Sequence, residues 1–422
     1  MSAFLRVHIY MPAKEIILYS VFFISTYVQV FLLVTFFEKK NKLRFGKNVP
    51  ELKVYPSVTI IMPCWNEENT LAATVESLLA LNYPKDKINF FLVDDGSKDG
   101  TWKKMKEYES NPQIKIFQKE NGGKHTALNL GIKKAKSEFV GCLDADSFVH
   151  PEALKRIMTY FSNPKTMAVS PSVVVHMPKT IVERAQKADY NMSAFIKKVY
   201  ASINGLHVAS GAFTIFRRKV FRELGLYKMA YNTEDFEITL RMHAHHLKIE
   251  QCNDAFVYTV APETLKKLFV QRLRWMYGFI KNVAEYRFMI FRKRFGTIGI
   301  LTLPAAILSI FGVIYIFVNI MISVVRFAER RIALYSDTGI VFGKIAFHFD
   351  PFFFNTGSVM FLTLMLYGLI IFSVLVGMKM SGEKPKLTLD IFYFIFIYMI
   401  MAPLWLLRAF YMVLVSHKPS WR

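Results

Sequence analysis

Four stretches of the chain carry no charged residue: 16–37, 297–325, 351–378 and 391–407, with lengths of 22, 29, 28 and 17. A helix crosses the hydrocarbon core of a bilayer with about 20 apolar residues. The first three stretches therefore predict membrane spans. The fourth, cut short by Arg408, predicts a span over about 391–415 and admits a buried core helix as its alternative. The first stretch is too long for the apolar region of a cleaved signal peptide and lacks a small-residue cleavage site, so it is expected to stay as an anchor.

Between the first two stretches the pattern changes to short apolar runs alternating with amphipathic ones. Strands are expected at 57–62, 89–93, 114–117 and 139–143, and helices at 68–81, 103–108 and 126–135. This βαβ succession predicts an α/β domain with a mainly parallel sheet covered on both faces. Ligands of such sheets bind beyond the carboxyl ends of the strands.

Composition adds a direction. The 422 residues hold 54 Lys+Arg against 32 Asp+Glu, a net charge of +22. In a chain with long apolar runs that excess marks cytoplasmic flanks and anionic headgroups, and no nucleic-acid partner is expected. Arg6 and Lys14 precede the first span, whereas Lys39, Lys40, Lys42, Arg44 and Lys47 follow it; Arg287, Arg292, Lys293 and Arg294 precede the second. The N-terminus is then outside and the stretch between the spans is cytoplasmic, in a multi-pass protein of the cell (plasma) membrane. Against this count, Arg326, Arg330, Arg331 and Lys344 fall where parity predicts the outside, which calls for an interfacial helix or another span. The expected division is a first span in 1–37, a cytoplasmic domain over 38–262, amphipathic interfacial helices over 263–296 and a membrane region over 297–422. Three cysteines without a CxxC pair suggest a reducing compartment and no structural metal.

The expected strand ends carry the chemistry. Asn66 and Glu67 follow the first strand and Asp94, Asp95, Gly96 and Ser97 the second. An aspartate there can accept from a uracil imide or ribose hydroxyls, and the same residues suffice to cap the turn. Asn121, Gly122, Gly123 and Lys124 open the next helix, placing a cation and free backbone N–H groups where phosphate is favoured. They do not match a phosphate-binding P-loop, because Gln118 and His125 stand where that motif requires glycine and serine or threonine. Asp144 and Asp146, two residues apart where a strand ends, can turn toward one hard divalent cation, which needs few carboxylates when substrate phosphates complete its shell. Farther on, Thr233 can cap a helix whose first turn Glu234 and Asp235 suit, and a carboxylate held there can act as a general base. His243 and His246 are placed on the polar side of that helix, without a carboxylate partner for a metal. Gln271, Arg272, Arg274 and Trp275 lie in a cation-rich amphipathic stretch that reads as an interfacial helix, or as a diphosphate fork from Arg274 beside a sugar-stacking face on Trp275.

In this order, Asp94-Asp95-Gly96-Ser97, Asp144-Ala145-Asp146, Thr233-Glu234-Asp235 and Gln271-Arg-Leu-Arg274-Trp275 resemble the processive membrane synthases of glycosyltransferase family 2. The resemblance covers about residues 56–295 by motif. It implies a GT-A (Rossmann-like) domain between transmembrane helices, a UDP-sugar donor, Mg2+ or Mn2+, a growing glycan as acceptor, and inversion at the anomeric carbon. By the same resemblance Asn66, Glu67, Asp94 and Asp95 would contact the uridine, Lys124 the diphosphate, Asp144 the ribose and Asp146 the metal, with Asp144 close enough to share it. Asp235, with Glu234, would act as the base; Gln271, Arg274 and Trp275 would close over donor and acceptor. The run Ala209-Ser210-Gly211-Ala212 resembles the family's acceptor loop. The stretch from Pro262 to Leu268 is similar to poly-N-acetylglucosamine and hyaluronan synthases, which favours UDP-N-acetylglucosamine.

The chain also departs from the pattern. Cellulose synthases have about twice as many spans, and no regulatory domain is expected at either end. A channel would need an accessory membrane subunit, a second copy or further helices to complete it. The alternative is a nonprocessive transferase acting on a membrane lipid or lipid-linked acceptor, for which spans serve as an anchor.

Overall fold

The computed structural model describes residues 13–40, 52, 54–338 and 358–415. Arg6, Lys42, Arg44, Lys47, Lys344 and the start of the third apolar stretch, 351–357, lie outside the described residues. In chain order the elements are α1 (Ala13–Lys39), β1 (Val58–Cys64), α2 (Leu71–Leu79), β2 (Ile88–Asp94), α3 (Thr101–Lys106), β3 (Ile114–Gln118), α4 (Lys124–Lys134) and β4 (Phe139–Cys142). Then come β5 (Ser147–Val149), α5 (Ala153–Met158), β6 (Thr166–Val175), α6 (Ile181–Ser202), β7 (Ile215–Arg217), α7 (Lys219–Leu224), α8 (Glu234–Ala244) and β8 (Lys248–Thr259). The last are α9 (Leu265–Glu285), α10 (Leu303–Thr338), α11 (Ser358–Met380) and α12 (Leu389–Leu414).

The strands form one sheet in the order β3-β2-β1-β4-β7-β6-β8-β5. Pairs β1–β2, β1–β4 and β2–β3 are parallel, as the sequence pattern predicts. Beyond β4 the sheet is mixed: β7 runs antiparallel to β4 and β6, and β5 antiparallel to β8, while β6 and β8 are parallel. The parallel half therefore ends where the βαβ rhythm stops, and the expectation of a mainly parallel sheet holds only for that half.

The continuous apolar run of β1 has a physical reason. Val58, Ile60 and Met62 pack with Leu71, Val75 and Met105 on one face, whereas Ile61 packs with Ala127, Leu128 and Ile132 on the other. A strand buried on both faces cannot alternate with polar residues. The register pairs Cys64 with Asp94 and Asp94 with Gln118, so the parallel strands end level and their following residues gather at one edge.

Among the described residues four helices are long and apolar enough to cross a membrane: Glu15–Lys39, Ile298–Ala333, Val359–Met380 and Leu389–Leu414. The helix α10 has 36 residues, about 54 Å at 1.5 Å per residue, against a core of about 30 Å. Arg326, Arg330 and Arg331 lie on its last turns, so they belong to an extension of that helix and not to a separate interfacial one.

The described chain forms two compact units. One holds the described residues of 32–304 and 371–415, the other those of 13–31 and 305–370. In the first, α12 packs on α6 and α9 beside the sheet. The start of α6 is fixed by a capping box, Thr180 accepting from Glu183 N–H while the Glu183 carboxylate accepts from Thr180 N–H. The start of α9 is set by Thr264, whose hydroxyl accepts from Lys267 N–H.

Candidate active site

Residues after β1, β2 and β3 interlock at the level edge of the sheet. Asn66, in the left-handed region at φ 56°, donates its N–H to Ser97 Oγ (3.0 Å), and its side-chain oxygen accepts from Lys98 N–H (2.8 Å). Glu67 donates its N–H to Thr101 Oγ1 (2.8 Å), and its carboxylate accepts from Thr70 (2.8 Å). Asp94 accepts from Ser97 N–H (3.1 Å) and Gln118 Nε2 (3.1 Å). Asp95 accepts from Lys119 Nζ (2.6 Å) and from the N–H groups of Gly122 (3.1 Å) and Gly123 (2.8 Å). This corrects one expectation: those two backbone N–H groups at the start of α4 are not free for phosphate, because the chain between β3 and α4 closes on the buried Asp95. Gly96, at φ +72°, lets the turn pass so close that a Cβ there would lie 2.8 Å from Asn121 N.

The centre of the site is Lys124. Its Nζ lies 2.5 Å from Asp144 Oδ1 and 3.2 Å from Glu234 Oε1, joining the end of β4 to the first turn of α8. Burial works against the ammonium, but Asp144 and Glu234 beside it hold its pKa well above the ordinary lysine value. Beside this pair, Asp235 Oδ2 accepts from Gly211 N–H (3.2 Å) and Oδ1 from Phe236 N–H (2.8 Å). A Cβ on Gly211 would stand 3.4 Å from Lys124 Nζ and 3.5 Å from Asp235 Oδ2, so the loop of Ser210 and Gly211 covers both groups. Ser210 is held from below by its N–H donating to Ser170 Oγ (3.0 Å). Burial raises the Asp235 carboxyl above the usual carboxylate range, with Glu234 adding to it and Lys124 opposing.

Asp146 differs from Asp144. Burial, then Asp144, then Glu67 push its carboxyl up to about 6. Among the described residues no three His, Cys, Asp or Glu side chains gather around one point. Asp146 nevertheless fits a hard divalent cation completed by Asp144 and substrate oxygens, because its buried carboxylate stands beside those of Asp144 and Glu67 and such an ion would supply the positive charge that relieves this crowding.

The N-terminus of α8 is braced by α9. Ala230, Tyr231 and Asn232 adopt positive φ in succession, 32°, 54° and 63°. The buried Asn282 donates to Thr233 Oγ1 (2.9 Å) and Ala230 O (3.4 Å). Thr233 donates its hydroxyl to Ala230 O (2.9 Å), and makes no side-chain cap on α8, contrary to the expectation for that residue. A Cβ on Gly278 would overlap the Thr233 hydroxyl and stand 2.9 Å from Thr233 Cβ. Gly278→Ala is therefore expected to lower stability by about 1–3 kcal/mol, the usual cost of overpacking, read as a lower melting temperature of the full chain. A parent-like transition would show that Thr233 can rotate away.

The same helix carries Gln271, Arg274 and Trp275, which share a face at i, i+3 and i+4. The buried Gln271 Oε1 accepts no hydrogen bond. One face of Trp275 is covered by the Arg272 guanidinium, 4.4 Å from the ring centroid. His243 is a correction: it is buried, bonded through Nε2 to Leu206 O (2.7 Å), and burial holds its pKa down to about 4. It was expected on the polar side of its helix, but α8 is enclosed on that side too. Sequence reasoning also passed over Lys119, which follows the end of β3 and would have been found by reading that strand end like the others, and Asn282, which carries no such signal.

Residues 59–225 match the family model described as Glycosyl transferase family 2. The chain is 31% identical over 268 residues to a poly-beta-1,6-N-acetyl-D-glucosamine synthase of Staphylococcus epidermidis, covering 62% of this chain and 64% of the relative. It is 31% identical over 263 residues to the synthase of that name from Staphylococcus aureus (strain MSSA476), covering 61% and 63%. The match thus spans less than two thirds of either relative. Among solved structures, a mannosyltransferase from Pyrobaculum calidifontis in complex with GDP-Man and Mn2+ superposes with TM-score 0.59 at 17% identity, over 96% of this chain and 99% of that one. At that identity the likeness speaks for the fold, which is GT-A.

Proposed function

We propose, from the match of residues 59–225 to the family model described as Glycosyl transferase family 2, that this chain is a processive inverting transferase that polymerises a UDP-sugar, UDP-N-acetylglucosamine first among them, into a β-linked polysaccharide. The single observation that carries this reading is the junction of Lys124 with Asp144 and Glu234 next to Asp235 and Gly211. It sets a cation for an anionic leaving group beside a carboxylate of raised pKa, under a loop that an acceptor can approach. The names of the two staphylococcal relatives support the choice of sugar.

In this reading Asn66, Glu67, Asp94 and Asp95 take the nucleoside end of the donor, and Lys124 the diphosphate. Asp144 and Asp146 would hold Mg2+ or Mn2+, which neutralises charge on the departing diphosphate when bound. Gln271 and Arg274 close on the donor, while Ser210, Gly211 and Trp275 face the acceptor. Asp235 accepts the proton of the acceptor hydroxyl; the oxygen forms a bond to the anomeric carbon from the side opposite UDP. The carbon–oxygen bond to the diphosphate breaks and its electron pair leaves with UDP. One displacement inverts the centre, so an α-linked donor gives a β-linked product. The domain works at the cytoplasmic face, and the product passes to the membrane region.

The test is UDP release by membranes holding the chain, with Mg2+ or Mn2+ and a panel of UDP-sugars, followed by sizing of labelled product with and without a matching glycosidase. A long digestible product from UDP-N-acetylglucosamine is expected. Single-sugar adducts extracted with lipid would overturn the processive reading, and no donor-dependent UDP release would overturn the reading as a whole.

A further inference from the structure

Arg272 occupies the second position of the Gln271–Trp275 motif and belongs to a closed three-way contact between helices. Its Nη2 donates to Asp189 Oδ2 on α6 (2.6 Å) and to Tyr398 OH on α12 (2.9 Å), and Tyr398 OH donates to the same Asp189 oxygen (2.9 Å). The guanidinium lies over two rings, Trp275 at 4.4 Å and Tyr398 at 5.4 Å. Tyr398 is itself held edge-on by Trp405, with ring centroids 5.5 Å apart. Two further ion pairs tie α6 to the chain entering and beginning α12: Arg184 with Asp390 (2.7 Å) and Lys187 with Glu383 (2.9 Å).

A guanidinium is planar, and oxygens that accept from its edge fix that plane. A ring stacked on the fixed plane then loses its freedom to tilt. Tyr398 lies nine residues into α12, about 13 Å along a helix long and apolar enough to span. A polar trio at that depth is costly unless each member satisfies the others, so α6 and α9 shield this part of α12.

We propose that Asp189 and Tyr398 are positioning residues that act through Arg272 to set the ring of Trp275 for the acceptor sugar. A helix of the membrane region thus sets how firmly the site holds the growing chain. This rests on the reading above, in which Trp275 faces the acceptor. A trio that merely ties helices together would affect donor and acceptor alike; one that aims a ring affects the acceptor alone.

The full chain in membranes is assayed with UDP-N-acetylglucosamine and a short β-linked N-acetylglucosamine oligomer. Tyr398→Phe keeps the ring, the fold and the ion pair and removes one hydroxyl. It is expected to raise the KM for the oligomer about five- to tenfold, the size of one typical net hydrogen bond, and to shorten the product. The donor KM and UDP affinity stay unchanged. Asp189→Asn gives an effect at least as large, and the double variant is no worse than the worse single one, because both act through one guanidinium. With a working parent, a parent-like Tyr398→Phe, a parallel rise in donor KM, loss of UDP binding, or additive single effects each overturn the proposal alone. A parent that transfers nothing from UDP-N-acetylglucosamine overturns the reading beneath it and the proposal together.

Discussion

Asp235→Asn is expected to reduce transfer by about 10³-fold, within the ~10²–10⁴ that general base catalysis contributes, while UDP affinity stays within about twofold. The substitution changes basicity and almost nothing else. An amide oxygen still accepts from Gly211 N–H or Phe236 N–H, the two bonds that fix the side chain. Lys124 keeps its partners, because it pairs with Asp144 and Glu234 and not with Asp235. Loss of turnover with intact UDP binding therefore isolates the proton transfer. The parent's pH profile supplies an independent check. Burial and the neighbouring Glu234 raise the Asp235 carboxyl, and a base works only when ionised. Transfer should fall as pH drops through a midpoint above the ordinary aspartate value of about 3.9. An Asp235→Asn variant that turns over like the parent would sink the assignment.

Much of the site proposed for the donor was legible because one rule, polar residues just past buried parallel strands, needs only hydrophobic runs to find the strands. It places Asn66, Asp94, Asp95 and Asp144 at one edge, and the register agrees. The second half of the sheet escaped it for two reasons. Strands β5 and β7 have three residues each, too few for a period. Strand β8 buries Gln251 and Asn253, which read as surface residues but donate to Pro171 O (2.8 Å) and Ala194 O (3.0 Å). Polar side chains that hydrogen-bond inside a core erase the pattern that would reveal it.

Helix α8 misled in the same way. Its inner side holds Glu237 and Arg241 as a 2.7 Å ion pair, with Tyr286 OH donating to Glu237 (2.6 Å), so polarity there marks contact with α9 and not with water. The pairing of Lys124 with Glu234, 110 positions apart in the chain, follows from where α8 docks, and no local pattern encodes it. The bracing of Thr233 by Asn282 and Gly278 is hidden for the same reason: each residue is ordinary by itself and has meaning only against the other helix.

The docking of Lys124 also separates two aspartates that the sequence leaves alike. Asp144 already has a cation, Lys124 Nζ at 2.5 Å, and its side chain is 34% exposed. Asp146 is buried and crowded by Asp144 and Glu67, and burial first, then those two carboxylates, push its carboxyl up to about 6. A divalent ion relieves that crowding, so Asp146 is the residue whose loss should be read through the metal. Asp146→Asn is expected to lower transfer by about 100-fold or more, in keeping with the several kcal/mol of charge stabilisation a bound metal supplies. It should also raise the Mg2+ or Mn2+ concentration needed for half-maximal UDP binding by about tenfold, the lower end of what altered metal surroundings cost. Asp144→Asn should instead leave Lys124 to Glu234 alone and change UDP affinity mainly by a factor common to every metal concentration, with a smaller shift in metal requirement than Asp146→Asn. Metal titrations of UDP binding to the two variants distinguish these outcomes. An Asp146→Asn titration that overlays the parent would remove Asp146 from the metal site, and a metal-dependent defect confined to Asp144→Asn would exchange the two roles.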